Sequence, residues 1–276
     1  MIFDNPVTRT KKWVRALLEH RDALEQAADA QIGELLGCGH WGCVLELVDS
    51  PYVLKLTIDP TEAPIWARIH VLTNDYGFGD GFPEVHRIFR LEPPVMYWGK
   101  ARIAHGIVRE KVSPAFGTRG TLTPSTLRYL GLSWESEKPP AFSYEALNHF
   151  DYSQLPRAQA VIGDVREFVR TVEALRLYRE LAGEWHARHL HNRELLRDKI
   201  QSVIFRMEGW VGNALSESLS MLLQNDVVLR DTHLGNVGWR VDENMGPLGL
   251  VIFDPGHTPT REHPLLPVHQ WRAEMC

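Results

Sequence analysis

Over residues 8–30, Trp13, Leu17, Leu24 and the neighbouring alanines fall at three-, four- and seven-residue steps between charged positions, a spacing that predicts an amphipathic helix. The rhythm then shortens. Apolar runs at 32–36, 44–48 and 52–57 predict three strands, joined by the turn sequences GCGHWG (37–42) and Asp49-Ser50-Pro51. A helix is expected to start at Asp59, with Asp59 as cap and Pro60 in its first turn, and to run to about Leu72. NDYGFGDGF (74–82) reads as a loop, and 84–91 and 103–112 as two more strands. Together these predict a five-stranded antiparallel sheet with a single helix between its third and fourth strands.

Residues 113–158 change the character of the chain: Pro, Ser, Thr and Gly are frequent, and a long, partly irregular connection is expected. Helical periodicity returns over 161–223, where Val165, Phe168, Val169, Val172 and Leu175 share one face and Leu215, Leu219, Leu222 and Leu223 another. Short apolar strands are expected at 227–229 and 248–253, and the last twenty residues, from His257, show little periodicity. The order predicts an α+β protein of two lobes with a seam near 112–116. Its parts are an N-terminal helix (1–31), a sheet domain (32–112) and a mainly helical domain (113–276).

Composition narrows the class. With 276 residues, 44% hydrophobic and 24% charged, the chain has the balance of a globular protein. A net charge of −5 and a pI near 6.2 point away from nucleic acid and anionic membranes as partners. The N-terminus lacks an apolar run behind its basic residues, and no stretch reaches the length of a membrane span, so neither leader nor anchor is expected. Three cysteines, Cys38, Cys43 and Cys276, are too few and too oddly placed for a disulfide framework. A reducing cytoplasmic location follows as the expectation, with Cys38 and Cys43 as small apolar filler or a thiol switch.

Four sequence elements carry candidate chemistry. Gly37, Gly39 and Gly42, followed by Val44, fit G-x-G-x-x-G-x-V between two strands, where glycines let backbone N–H groups approach phosphates. A dinucleotide fold would need a helix directly after the glycines, but VLELV follows. Lys55 sits centrally in the apolar strand YVLKL, thirteen residues after Gly42, and Glu62 is placed to pair with it. Asp231 precedes Asn236 by five residues in DTHLGN, a spacing that suits a carboxylate orienting a hydroxyl and an amide oxygen holding Mg²⁺. Asp254 leaves the apolar run VIF eighteen residues later, as a single carboxylate for the same ion.

In this order the motifs resemble the protein-kinase-like superfamily from Ile32 to Gly256. The resemblance implies a two-lobed fold and transfer of the γ-phosphate of ATP, with Mg²⁺, to a hydroxyl. GCGHWGCV is similar to the glycine-rich loop, Lys55 to the phosphate-gripping lysine, RDTHLGN to the catalytic loop and FDPG to the DFG segment. Arg109-Glu110-Lys111-Val112 would be the hinge, so Glu110 and Val112 are carried as adenine contacts by position. Leu229 stands where the His of H-R-D would be, and Pro255 replaces the Phe of DFG. The D-x-H-x-G-N loop is similar to aminoglycoside and fructosamine kinases, and to host-directed protein kinases of short-tailed bacteriophages. No A-P-E segment occurs and only twenty residues follow Gly256, so a truncated C-lobe without an activation segment is expected.

The acceptor stays open at this point: a protein Ser/Thr is favoured slightly over a small molecule. Glu135, Glu137 and Glu145 could line a site for a cationic acceptor or lie in a solvated loop. An inactive nucleotide-binding pseudokinase and AMP transfer are the rival readings. His186, His189 and His191 lack a partner set at zinc spacing, so a solvated helix face or end is expected there. Of the nine tryptophans, Trp41 at the glycine turn is the one expected to touch a ligand or partner.

Overall fold

The computed structural model describes residues 6–77, 80–117, 120–132, 158–187 and 192–256. The chain divides into two compact units. Among the described residues, Pro6–His70 and Glu84–Lys111 belong to the first, and Val71–Pro83 and Val112–Gly256 to the second.

Two helices, α1 (Pro6–Leu18) and α2 (Arg21–Ala28), replace the single one expected over 8–30. The break comes where the Glu19 and His20 N–H groups bond back three residues, to Ala16 and Leu17 carbonyls, tightening the last turn. Trp13, Val14, Leu24 and Ala28 still point the same way. They are buried against Leu45, Leu54, Leu56 and Phe89, so the periodic apolar stripe is a core-facing one.

The sheet these helices cover contains β1 (Ile32–Cys38), β2 (Gly42–Leu47), β3 (Tyr52–Thr57), β4 (Val85–Tyr97) and β5 (Lys100–Glu110), with α3 (Glu62–Tyr76) between β3 and β4. Every pairing is antiparallel and the spatial order is β1-β2-β3-β5-β4. The unit is thus mixed α+β with a five-stranded antiparallel sheet.

β4 and β5 run longer than the apolar runs at 84–91 and 103–112 suggested. Trp98 and Gly99, both at positive φ (54° and 69°), close a two-residue hairpin between them. The Pro93-Pro94 pair hid this continuity. It falls at a register shift between Leu91 and Val95, where a strand tolerates residues without an N–H donor.

α3 starts at Glu62 rather than at Asp59. The Asp59 carboxylate accepts from both the N–H and the hydroxyl of Thr61, at 2.9 and 2.8 Å, so 59–61 form a side-chain-closed turn ahead of the helix. Pro64 then falls in the first helical turn, where no intrahelical partner for its missing N–H exists.

The second unit contains β6 (Ser113–Pro114), α4 (Pro124–Tyr129), α5 (Ala158–Trp185), α6 (Arg193–Ile204), α7 (Gly209–Gln224), β7 (Val237–Val241) and β8 (Pro247–Ile252). β6, β7 and β8 make a small antiparallel sheet in that order. Its core is an aromatic stack in which Trp239 lies 5.8 Å from Phe168 and 5.7 Å from Trp210. Residues 227–229, expected as a strand, form none. The Leu229 N–H donates to Tyr178 Oη (2.9 Å) and the Val228 carbonyl meets His186 Nε2 (2.8 Å), so this backbone bonds to helix side chains instead of a neighbouring strand. Among the described residues no helix is long and apolar enough to cross a membrane.

Candidate active site

In the first unit, antiparallel register aligns Gly37 with Val44, Val44 with Lys55 and Lys55 with Ile107. Directly opposed residues share a face, so one row across four strands carries three of the residues singled out in the sequence. Lys55 is 6% exposed and Glu62 2%. Lys55 Nζ lies 2.5 Å from Glu62 Oε1. An ion pair this dry loses much of its Coulomb gain to desolvation, so it is poor evidence of a stability role.

The three glycines are not equivalent. A Cβ on Gly42 would come within 2.4 Å of the Leu56 carbonyl oxygen, so the β2–β3 contact itself demands glycine there. A Cβ on Gly37 would meet nothing within 4 Å, and the residue is not at positive φ. The packing of the chain gives no reason for glycine at 37. Its open side is the approach that a bulky anion needs.

The turn itself is tightly held. The Gly39 N–H donates to the Gly42 carbonyl (2.8 Å), and the His40 carbonyl accepts from Thr10 Oγ1 (2.7 Å) and Tyr97 Oη (3.0 Å). The Trp41 ring is half-buried and packs at 4.8 Å from His40 and 6.0 Å from Tyr97. Cys38 and Cys43 correct the reading from sequence. They are register partners at the mouth of the turn, with Cα atoms 4.0 Å apart, and form a disulfide. Spacing alone did not reveal it, because only a closed hairpin sets two cysteines this far apart in sequence side by side.

Glu110 ends β5. Its N–H donates to the Glu84 carbonyl (2.8 Å), its carboxylate accepts from the Glu84 N–H (3.1 Å), and the Lys111 N–H donates to Pro51 (2.8 Å). These donors serve the sheet. Val112 follows, as the first residue of the second unit after the sheet.

In the second unit, Asp231 lies in an irregular segment that enters a 3₁₀ turn, Leu234–Asn236, directly before β7. Asn236 Nδ2 donates to the Asp231 carbonyl (2.8 Å), while the Asn236 carbonyl accepts from the Phe253 N–H (2.9 Å). Val237 and Ile252 are register partners, so Asn236 and Asp254 leave the same end of one hairpin. His233 Nε2 stands 3.7 Å from Asp231 Oδ1. A Cβ on Gly235 would come within 2.8 Å of the His233 ring, so glycine gives that ring its place.

With its nitrogen committed to Asp231, the Asn236 side chain keeps its oxygen as an acceptor. One carboxylate and one amide oxygen fit Mg²⁺, which takes few protein ligands and completes its shell with phosphate and water. Among the described residues, no group of three or more His, Cys, Asp or Glu is arranged to hold a metal.

Two positioning roles escaped the sequence reading. Tyr178 and His186, both from α5 or its end, hold 228–229 immediately before Arg230-Asp231. Tyr178 is fully buried, which pushes its phenol pKa up. Its only signal in the sequence was its place on the apolar face three residues after Leu175. His186 is thus not a solvated helix end. His189 and His191 lie outside the described residues, as do Glu135, Glu137 and Glu145.

No family model matches the sequence, and no curated protein matches it. Among solved structures the chain is similar to the Cydia pomonella granulovirus kinase PK-1, with 12% identity and a TM-score of 0.37. The match covers 90% of this chain but 61% of the viral kinase. A likeness this distant assigns no activity.

Proposed function

We propose that the protein is an ATP- and Mg²⁺-dependent phosphotransferase that moves the γ-phosphoryl group to a hydroxyl. The observation that carries this reading is the buried Lys55–Glu62 pair, set in one cross-strand row with Val44 and the open-sided Gly37. A desolvated lysine held by a carboxylate is costly as a structural device, but it presents a fixed cation to phosphate oxygens. In this reading Lys55, fixed by Glu62, grips the phosphates of ATP, and the glycine-turn amides add donors. Glu110 and Val112 face the adenine. Asn236 and Asp254 would hold Mg²⁺, which would supply neutralisation of the charge that builds on the phosphates. Asp231 orients the acceptor hydroxyl and takes its proton as the new O–P bond forms and ADP leaves. Positioning and electrostatics supply most of the acceleration in chemistry of this type.

A protein serine or threonine is the acceptor in this reading, which rests on the D-x-H-x-G-N loop followed by D-P. The test incubates the purified chain with Mg²⁺, γ-labelled ATP and a lysate of the source organism or its host, beside an Asp231→Ala variant. Labelled protein bands absent from the variant are expected. Asp231-dependent ATP consumption without bands would move the acceptor to small molecules. No ATP turnover at all would leave a nucleotide-binding pseudokinase and overturn the proposal.

A further inference from the structure

The tip of the glycine turn is held from outside its own hairpin. Gly37, Gly39 and His40 are exposed, and glycine-rich backbone loses much conformational freedom when it is ordered, so a single turn conformation needs support. The β1–β2 hairpin closes without help from other elements. Cys38 and Cys43 are register partners joined by a disulfide, and the Gly39 N–H reaches the Gly42 carbonyl at 2.8 Å. The His40 carbonyl nevertheless accepts two further bonds, from Thr10 Oγ1 at 2.7 Å and Tyr97 Oη at 3.0 Å. One donor comes from α1, 30 residues earlier in the chain, and the other from the end of β4, 57 residues later. Both are buried, Thr10 at 0% exposure and Tyr97 at 3%. Each hydroxyl has one proton to donate, and both protons go to the same backbone oxygen of an exposed residue.

The consequence for the turn is electrostatic. His40, Trp41 and Gly42 carry three consecutive carbonyls, and each is engaged by a donor within the protein. The His40 carbonyl takes Thr10 and Tyr97, the Trp41 carbonyl takes the Ile58 N–H (2.9 Å), and the Gly42 carbonyl takes the Gly39 N–H (2.8 Å). Carbonyl oxygens are the negative ends of the peptide dipoles, so a turn receives an anion best where they are drawn away from it. The direction of that draw follows from the sheet. α1 packs on the face that carries Leu45, Leu54 and Leu56. Successive strand residues alternate, so Val44 and Lys55 belong to the opposite face. Thr10 therefore holds the His40 carbonyl toward the side away from Lys55, and the planar peptide that follows is fixed with it.

We propose that Thr10 and Tyr97 are positioning residues for the nucleotide phosphates, an inference that rests on the phosphotransferase reading above. Acting through the His40 carbonyl, they keep the glycine turn in its anion-receiving form before the nucleotide arrives. α1 lies ahead of Ile32, where the likeness to the kinase-like superfamily begins, so Thr10 extends the site into a part of the chain that carries none of its motifs. Without the two hydroxyls the turn would have to be ordered on binding, and affinity would fall for ligands that carry phosphates.

Calorimetric titration of the full chain compares Mg·ATP with adenosine, which lacks the phosphates. Reductant is left out, so that the Cys38–Cys43 bond is kept in every protein. Tyr97→Phe and Thr10→Val each remove one hydroxyl and leave the other on His40. Each should weaken Mg·ATP binding about threefold, and the double variant about tenfold or more. Thr10→Ser, which keeps the hydroxyl, should restore what Thr10→Val loses. Adenosine should bind the wild-type chain and the variants alike. Near-ultraviolet circular dichroism checks each fold, and Tyr97→Phe, which deletes a single oxygen, carries the test should Thr10→Val fail to fold. Undiminished Mg·ATP affinity in the folded variants would overturn the positioning role alone. An equal loss for adenosine, the mark of a general loosening, or a Thr10→Ser as weak as Thr10→Val, would do the same. A wild-type chain that binds no Mg·ATP would overturn the phosphotransferase reading along with it.

Discussion

Acidification should destabilise the first unit through His105, by an amount that the structure allows to be worked out. Burial, and after it the nearby Arg90 charge, lowers its pKa from 6.5 to about 4. Thr57 and Arg90 are its register partners on β3 and β4, and among the described residues no carboxylate is paired with it. Because the folded pKa lies below the unfolded one, the unfolded chain binds more protons between these values. The stabilising contribution is complete above about pH 6.5 and is lost as the pH falls toward about 4. The full swing is 2.5 pKa intervals, or about 3 kcal/mol, of which about 2 kcal/mol is gone at about pH 5. Urea unfolding followed by tryptophan fluorescence, at about pH 8 and about pH 5, measures it. The wild-type chain should lose about 2 kcal/mol more than His105→Gln between these conditions. Other histidines, including His70, whose pKa burial also lowers, are common to both proteins and cancel. An equal loss in the two proteins would refute the reasoning, because the ring would then be reached by water in the folded state.

Lys55→Met should cost about 3–5 kcal/mol in urea unfolding by leaving Glu62 buried and unpaired, and adding Glu62→Leu should recover most of it; a double variant no better than the single one would refute the coupling. Tyr178→Phe should lose about 1–3 kcal/mol because the Leu229 N–H is left without its acceptor, and an unchanged midpoint would place that N–H elsewhere. Alkylation of the unfolded chain, counted by mass spectrometry, should add two more adducts after reduction than before it, whereas equal counts would mean that Cys38 and Cys43 are free thiols.

Local order set much of this protein in advance. Alternation and turn residues are properties of a few neighbouring positions. That is why β1, β2 and β3, the antiparallel sense of the sheet and the helix between its third and fourth strands can be read from 32–112 alone. The same locality made Lys55, Glu62, Asp231, Asn236 and Asp254 stand out, since each depends on spacing within one or two elements. Where a local signal was ambiguous, the reading failed. Val228 and Leu229 are apolar because they are buried, not because they pair, and only α5 reveals that their backbone partners are His186 and Tyr178. The prolines at 93 and 94 read as an end, yet the strand absorbs them at a shift in register.

Tertiary structure alone decided what depends on distant segments. The Cys38–Cys43 bond exists because a hairpin closes to a Cα separation of 4.0 Å. Gly42 is fixed by a strand fourteen residues further on, while Gly37 is not fixed by the chain at all. The buried state of His105 arises where β5 pairs with Thr57 of β3 and Arg90 of β4, positions that only the folded sheet brings together. Sequence pattern fixes which side chains are polar or apolar; desolvation, which gives a charge or a ring nitrogen its chemistry, depends on everything that folds around it.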